Sequence, residues 1–255
     1  MAEDKEQPRG AWAPAVERLS VSDVPEGAIN LNLEGRVPVS PLQGFGPLWQ
    51  KSFRIRLRGL DKSPAEVMAI WKAEFPRFQP PGNNFYPTLA GVQPGELIFI
   101  DSAVSAMPGV LPAIPIASGV RVIFADDETF TIMTPQGFPE AGWNTFATFE
   151  EDGSTWAQVQ TMARTSDPIY EFGFRFMGGS RFQDETWHHV LTSLAGYLGV
   201  NDEWVQVRKV CIDPRIRWRG ITNVWHNAMI RSMIGMPGWA LRKILGRGRE
   251  QKKGW

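Results

Sequence analysis

The sequence contains few of the residues that most often mark an active site. It has one cysteine, Cys211, and three histidines, His188, His189 and His226, among 255 residues. A single cysteine excludes an intramolecular disulfide and a cysteine-based metal cluster, and it fits a reducing compartment. His188 and His189 are adjacent on a predicted helix and point about 100° apart, which does not suit one shared metal ion. We therefore expect no metal and no cofactor.

Long apolar runs and familiar catalytic motifs are also missing. No run reaches the roughly 18 apolar residues that a bilayer-spanning helix needs. The first ten residues are charged and no apolar run follows them, so we expect no secretory signal peptide and a cytoplasmic protein. The sequence contains neither a glycine-rich nucleotide loop nor a Gly-x-Ser-x-Gly elbow. Because these motifs are missing, the sequence favours a binding cavity over a catalytic site.

The net charge of zero conceals a strong asymmetry along the chain. Residues 205–255 contain twelve Lys or Arg and two Asp or Glu, whereas residues 1–204 contain 15 basic and 25 acidic residues. An acidic body with a basic C-terminal segment favours an anionic partner for that segment. The alternative is that the segment packs on the acidic body of its own chain. No nucleic-acid-binding motif is present, so we expect no nucleic acid partner.

Alternating and helical patterns predict an α+β fold. Trp49–Arg58 places Phe53, Ile55 and Leu57 on one side and arginines on the other, which is typical of a half-buried strand. Ser63 and Glu66 form a capping box that starts a helix. Between 119 and 163, short β-branched and aromatic runs separated by Asp and Gly turns predict antiparallel hairpins.

A long amphipathic helix follows the hairpins. Trp187, Val190, Leu191, Leu194 and Leu198 recur at helical spacing over Ser180–Leu198, and this stripe is expected to lie against the curved sheet. Ser180 and Gln183 have the spacing of a second capping box. Residues 76–118 are rich in proline and predict an irregular region around a strand at Glu96–Ile100. The aromatic loops that carry Phe78, Phe85 and Tyr86 suit either the mouth of a cavity or plain surface packing. Trp204–Ile212 and Ile221–Ile234 predict one more strand and one more helix.

This order of elements resembles the helix-grip superfamily, a curved antiparallel sheet gripping a long C-terminal helix. The superfamily includes START lipid-transfer domains, the birch-pollen-allergen family and polyketide cyclases or dehydratases. The resemblance covers about 43–200 and is nearest to uncharacterised bacterial members of the superfamily. The segments that carry this resemblance are Gln43-Gly44-Phe45-Gly46-Pro47-Leu48-Trp49-Gln50-Lys51, Phe130–Gly137, Ala141-Gly142-Trp143, Ala157-Gln158-Val159-Gln160 and Asp167-Pro168-Ile169-Tyr170-Glu171. The resemblance implies a helix-grip-like domain at 29–200. Composition and charge predict a flexible leader at 1–28 and a basic amphipathic C-terminal extension at 201–255.

The resemblance implies binding, transport or sequestration of a hydrophobic small molecule or lipid between sheet and helix. The residues expected to line such a cavity are Met133, Trp143, Gln158, Gln160, Tyr170 and Trp187, with aromatics supplying area and Gln or Tyr supplying hydrogen bonds. The strand that carries Gln158 and Gln160 also carries small residues on its other face. Sequence leaves open which of these two faces meets the cavity.

Two other functions stay open. The first is a cyclase or dehydratase that uses Arg164, Asp167, Tyr170 and Glu171 for acid–base chemistry, and these four residues equally suit a structural salt-bridge group. An inward carboxylate with a raised pKa would favour such an enzyme. The second is a non-catalytic interaction module whose core is filled by its own side chains.

The C-terminal extension has the composition of an interfacial helix pair. Apolar and basic side chains alternate there in a way that fits a peripheral contact with an anionic membrane at its inner face. The residues expected to make this contact are Trp225, Arg231, Trp239, Arg242 and Lys243. The alternative is packing against the domain or a second subunit.

Overall fold

The computed structural model describes residues 10–104, 114–201 and 203–238. Within these ranges, nine antiparallel strands form one sheet: Ala11–Trp12 (β1), Leu48–Leu57 (β2), Asn83–Pro87 (β3), Leu97–Val104 (β4), Ile114–Ala125 (β5), Thr129–Met133 (β6), Glu140–Glu151 (β7), Ser154–Thr165 (β8) and Gln206–Asp213 (β9). Their order in the sheet is β3-β4-β5-β6-β7-β8-β2-β9, and β1 pairs with the end of β5.

Three α-helices accompany the sheet: Pro64–Ala73 (α1), Pro168–Phe176 (α2) and Gly179–Tyr197 (α3). Shorter 3-10 helices span Pro41–Gln43, Phe75–Phe78 and Trp218–His226, and a further helix covers residues 228–238. The predicted capping box of α1 is confirmed. The Ser63 hydroxyl accepts from the backbone N–H of Glu66, and the Glu66 carboxylate accepts from the backbone N–H of Ser63 at 2.8 Å.

The start of α3 differs from the prediction. The helix begins at Gly179, and the preceding Gly178 has φ +79°, a left-handed conformation that glycine adopts readily. Ser180 therefore lies inside the helix and does not cap it. The side chain of Gln183 is buried against the sheet and does not reach back to the helix start. The predicted second capping box is wrong, and its glutamine serves another purpose.

The α+β class and the gripped-helix arrangement are confirmed. Helix α3 packs its buried stripe, Val190, Leu191 and Leu194, on one face of the sheet, here called the inner face. Phe53 and Val159 meet this stripe from neighbouring strands β2 and β8, and all five side chains are fully buried. Burial of side chains of this size contributes roughly 1.5–3 kcal/mol each. The opposite face is called the outer face.

Aromatic side chains fill the centre of the space between α3 and the sheet. Phe130 and Phe146 stack with ring centroids 4.4 Å apart, and Trp187 of α3 contacts Phe146 edge-on at 5.7 Å. Trp71 and Phe75 close the cluster from the other side at 5.5 Å and 5.3 Å from Phe146. Such edge-to-face packing leaves no room there for a ligand. The open space lies nearer one end of α3.

The proline-rich segment is more regular than predicted. Its strand candidate is confirmed as part of β4, but β3 pairs with β4 and places Phe85 opposite Ile100. Phe78 and Phe85 are buried in the main core, so neither of the two alternatives, a cavity mouth or surface packing, describes them. Period-2 pairing of β3 turns Phe85 inward, which its proline-rich surroundings did not indicate.

Segments outside the predicted central domain also join the fold. The strand predicted at Trp204–Ile212 is confirmed as β9, which pairs with the edge of β2. The helix predicted at Ile221–Ile234 is divided at Asn227 into the 3-10 helix and the helix over residues 228–238. Leu19, within the predicted leader, is buried. No helix in the described part of the chain is long and apolar enough to cross a membrane.

Candidate functional site

A cavity of about 320 Å³ opens at the end of α3 where β2, β8 and β9 meet α2. This volume lies at the low end of the range for small-molecule sites. The side chains around it divide into an apolar wall and a polar floor. Its lining consists of Pro47, Trp49, Lys51, Glu140, Thr161, Ala163, Thr165, Glu171, Phe174, Arg175, Ser180, Gln183 and Lys209.

Lys51 supplies a buried positive charge to the polar floor. Its side chain lies on the inner face of β2 and is only 7% exposed. The ammonium donates to Gln183 Oε1 at 2.5 Å, Asp184 Oδ1 at 2.9 Å and Ser180 Oγ at 3.3 Å. An ammonium group has three N–H donors, so all of its donors have acceptors. Helix α3 therefore holds Lys51 as a fixed charge at the base of the cavity.

Gln183 connects this lysine to a carboxyl group. Its amide nitrogen donates to both oxygens of Glu140, at 2.7 Å and 2.5 Å, while its amide oxygen faces Lys51. Glu140 begins β7 and is half-buried as a residue. Burial raises the pKa of Glu140 to about 7, although the charge of Lys51 and the hydrogen bond from Gln183 act in the opposite direction.

A second carboxylate lies on the α2 side of the cavity. Glu171 accepts from the Thr165 hydroxyl at 2.6 Å and pairs with Arg175 one turn along α2 at 3.0 Å. Gly46 makes this arrangement possible, because a Cβ atom at position 46 would lie 2.2 Å from both Glu171 Oε2 and Thr165 Oγ1. Both oxygens of Glu171 are thus engaged within the protein.

The apolar wall faces these polar groups. Trp49 comes from the inner face of β2 and remains 40% exposed, which is unusual for an indole. Pro47, Ala163 and Phe174 continue the wall from the segment before β2, from β8 and from α2. A molecule with an apolar body and one polar end would match both sides of the cavity.

Comparisons with known proteins give likenesses of low identity. No family model matches the sequence, and no curated protein matches it. Among solved structures, protein Ms6760 from Mycobacterium smegmatis is similar over 59% of this chain and 90% of that chain, with 14% identity and a TM-score of 0.40. KanY is similar over 60% and 99%, with 11% identity and a TM-score of 0.43.

The di-domain ARO/CYC StfQ from the steffimycin biosynthetic pathway is also similar, with 8% identity and a TM-score of 0.44. The match covers 60% of this chain and 51% of StfQ, so this chain corresponds to about half of that protein. With TM-scores below 0.5, functional assignment depends on the geometry of the cavity itself.

None of the six predicted ligand contacts lines the cavity, and four of them lie on the outer face of the sheet. Phe146 and Val159 point at α3, so the alternation of β7 and β8 turns their neighbours to the outer face. Strand pairing then places the following residues on the outer face: Met133, Trp143, Gln158 and Gln160. The expectation that they line the space between sheet and helix is therefore corrected. The small residues of β8, Thr161 and Ala163, take that place.

Tyr170 and Trp187 are both buried and are used for packing. Trp187 is 6% exposed and belongs to the aromatic cluster around Phe146. Tyr170 is 5% exposed, and its hydroxyl accepts from the backbone N–H of Met229 at 3.0 Å. Burial raises the pKa of the Tyr170 hydroxyl. Neither residue lines the cavity.

The predicted acid–base group is mostly structural. Arg164 donates to the backbone carbonyls of Gly46 at 2.7 Å and Arg215 at 2.9 Å, and it pairs with Asp213. Asp167 caps α2 through the N–H groups of residues 169 and 170, and it accepts from Asn227. Tyr170 is engaged as described above. Among the four residues of this group, Glu171 alone lines the cavity.

The remaining candidates do not line this cavity. Arg36 contacts His226 Nδ1 at 2.9 Å, and burial and the charges of Arg36 and Arg231 lower the pKa of that histidine. No cluster of metal-ligating side chains occurs within the described ranges. Trp225 is 79% exposed, and Arg231 is exposed and donates to Asn32 Oδ1 at 3.2 Å. The other predicted membrane contacts, Trp239, Arg242 and Lys243, lie outside the described residues.

Three central groups of the cavity were missed from sequence. Lys51 was recognisable, since it shares the period-2 face of Phe53, Ile55 and Leu57 on the predicted strand. A charged residue on an apolar strand face indicates a buried partner or a site. Glu140 and Gln183 gave no comparable signal. Their meeting depends on where β7 starts and on the register of α3 against the sheet.

Proposed function

We propose that this protein binds a small molecule that has an apolar body and one polar group. The supporting observation is the cavity, in which an apolar wall around Trp49 faces the buried chain Lys51–Gln183–Glu140. Apolar area supplies affinity in such sites, and a few fixed polar groups orient the ligand. Binding of this kind suits sequestration or transport as well as presentation of a substrate.

The size of the cavity favours a compact ligand. Its volume of about 320 Å³ lies between the sheet and the first turns of α3. The aromatic cluster of Phe130, Phe146 and Trp187 closes the path deeper along the helix. A long acyl chain would have to displace these packed rings, whereas a molecule of one or two rings would not.

Filling the cavity tests this proposal. Ala163→Phe places a phenyl group in the cavity, and Met162→Phe, on the outer face of the same strand, is the matched control. Organic extracts of the purified proteins are compared by mass spectrometry with a mock purification. We expect an enriched compound with wild type and Met162→Phe but not with Ala163→Phe. The same compound bound equally by all three folded proteins would place its site elsewhere.

A second candidate function is acid–base catalysis on the bound molecule. A raised pKa of about 7 for Glu140 gives both protonation states at neutral pH, which is what a general acid or base requires. The carboxylate would remove a proton from the ligand, and the ammonium of Lys51 would stabilise the negative charge that develops. Glu140 then takes the role that the sequence suggested for the group around Arg164.

Proton exchange at a weakly acidic carbon tests this second function. With 2-tetralone as a probe in deuterated buffer, we expect the protein to accelerate α-proton exchange, measured by NMR. Glu140→Gln should remove the acceleration, because an amide does not carry the proton. Equal exchange rates with wild type and Glu140→Gln would argue against proton transfer by Glu140 and leave binding unaffected as a proposal.

We also propose a peripheral contact with an anionic membrane at the cytoplasmic face. In support, the 3-10 helix exposes Trp218, Ile221 and Trp225 at 68%, 49% and 79%, with Arg219 on the same element. Indoles beside basic residues suit the headgroup region of a bilayer.

Vesicle flotation tests this contact. We expect wild type to float with phosphatidylglycerol vesicles at low salt but not with phosphatidylcholine vesicles. Trp218→Ser with Trp225→Ser should reduce flotation, whereas Trp204→Ser, a similarly exposed indole outside the 3-10 helix, should not. Wild type that stays with the soluble fraction under all conditions would contradict the proposal.

A further inference from the structure

The cavity collects positive charge from three separate elements. Lys51 comes from β2, Lys209 from β9 and Arg175 from α2, and all three line the cavity. The lysines share one carboxylate, since Asp184 pairs with Lys51 through one oxygen and with Lys209 through the other. Arg175 pairs with Glu171. These three cations therefore have two carboxylates between them.

Glu140 decides whether the site carries net charge. Lys51 of β2 and Gln183 and Asp184 of α3 act directly on its carboxyl group. The other polar and charged groups that line the same cavity are Thr165 of β8, Glu171 and Arg175 of α2, and Lys209 of β9. When Glu140 is ionised, its negative charge balances the third cation. When it is protonated, the site has an excess of one positive charge, and the carboxyl group gains a hydrogen that it can donate.

The two exposed cations, Lys209 and Arg175, can offer N–H groups to a ligand. Lys51 has all three N–H groups engaged, but Lys209 is 42% exposed and Arg175 is 51% exposed by side chain. A guanidinium has five N–H donors. An incoming anion can therefore accept from Arg175, Lys209 and the protonated Glu140 while Lys51 stays in place.

We infer that the ligand of the pocket proposed above is a compact amphipathic organic anion, and that above neutral pH it binds together with a proton taken up by Glu140. This inference depends on the proposed binding function and adds the chemical class of the ligand. An ionised Glu140 would repel a bound anion across the small cavity, and uptake of a proton removes that repulsion. A cationic amine would favour the ionised state of Glu140, and a neutral alcohol would leave the excess positive charge unpaired whenever Glu140 is protonated.

Three probes with one bicyclic skeleton distinguish these classes. Binding of 2-naphthoate, 2-naphthol and 2-naphthylmethylammonium to the full chain is measured by calorimetry between about pH 6 and about pH 8.5. We expect 2-naphthoate to bind best. Its affinity should be level below about pH 7 and fall about tenfold for each pH unit above that. The affinity of 2-naphthol should show no such slope.

Two variants test whether the fall of 2-naphthoate affinity with pH is caused by the Glu140 carboxyl group. Glu140→Gln should bind 2-naphthoate with no pH dependence in this range. Asp101→Asn is the matched control, because burial raises the pKa of Asp101 to about 6 although this residue does not line the cavity. The 2-naphthoate affinity of the Asp101→Asn variant should fall with pH as steeply as that of wild type. Calorimetry of wild type in two buffers of different ionisation enthalpy should show nearly one proton taken up per ligand at about pH 8, which needs no variant.

The outcomes separate this inference from the proposed function. Tighter binding of 2-naphthol or of the ammonium probe would overturn the inference while supporting the pocket. Binding of 2-naphthoate without proton uptake would overturn the role of Glu140. Failure of all three probes to bind the wild-type protein would contradict the proposed binding function itself.

Discussion

The amide nitrogen of Gln183 donates to both carboxyl oxygens of Glu140, at 2.7 Å and 2.5 Å. Because the amide oxygen of the same residue accepts from Lys51, one side chain of α3 joins a cation and a carboxyl group from two different strands. A buried carboxyl group with a neutral hydrogen-bond donor retains its proton more readily than one paired directly with a cation. Burial raises the pKa of Glu140 to about 7 although this contact lowers it, so the charge of the cavity changes near neutral pH.

The raised pKa of Glu140 predicts a pH dependence of stability. Its pKa is about 4.5 in the unfolded chain and about 7 in the folded protein, so the folded state binds more protons between these values. The stabilising contribution is fully present below about pH 4.5 and is lost as the pH rises through about 7. Glu140→Gln should remove this contribution to the pH dependence of the free energy of unfolding.

Urea unfolding of wild type and Glu140→Gln at about pH 4 and about pH 8 measures this effect. The difference between their free energies of unfolding should shift in favour of the variant by up to about 3 kcal/mol at the higher pH. Asp101 also has a raised pKa, but it is present in both proteins and cancels in the comparison. A difference that stays constant with pH would show that Glu140 titrates normally.

Arg164 is predicted to be essential for stability and not for ligand binding. It is 2% exposed, and its guanidinium fixes the segment before β2 and the end of β9. Arg164→Met would leave two carbonyls and Asp213 without this partner, at a cost of roughly 3 kcal/mol. The hydrogen bonds of Arg215 and Arg164 hold the pKa of Asp213 well below its usual range, so the variant should raise it.

Arg56→Met is the control for Arg164. Arg56 lies on the outer face of β2 and donates to Ser154 Oγ at 3.0 Å, in a partly exposed position. Its substitution should cost at most about 1 kcal/mol. Chemical denaturation compares the two variants. Similar midpoints for both, or loss of 2-naphthoate binding in a folded Arg164→Met protein, would give Arg164 a different role.

Two tryptophans on opposite faces of the sheet should affect ligand binding differently. Trp49 is part of the apolar wall of the cavity, whereas Trp143 pairs with Met162 and Met133 on the outer face. Trp49→Ala should weaken binding of 2-naphthoate about tenfold, since it removes apolar area from the ligand. Trp143→Ala should change the affinity less than about twofold. The reverse order would mean that the ligand binds to the outer face.

Phe146 is predicted to be a main support of the core. Its ring stacks on Phe130 and meets Trp187 edge-on. Phe146→Ala should lower the free energy of unfolding by roughly 3–5 kcal/mol, because the packed rings around it cannot collapse into the space. Phe149→Ala, on the outer face of the same strand, should cost clearly less. Equal losses in thermal or urea unfolding would mean that the two faces of β7 are equally packed.

Local patterns predicted most of the secondary structure. The alternation of β2, the capping box of α1 and the hairpins of β5 to β8 depend on neighbouring residues, so they could be recognised in sequence. The start of α3 could not, because Ser180 and Gln183 have capping spacing whether or not a helix begins there. The helix begins after Gly178, and the hydrogen bond from Lys51 keeps the Gln183 side chain away from the helix start.

The sequence by itself determined the fold class, the order of the central elements and the absence of disulfide or cysteine-cluster chemistry. These follow from composition and from periodicities that act over a few residues. Only the tertiary structure decided which face of β8 meets α3, since a shift of one residue exchanges the two faces of a strand. It also brought together Lys51, Glu140 and Gln183, which are distant in the chain. The raised pKa of Glu140 arises only from its burial in this group.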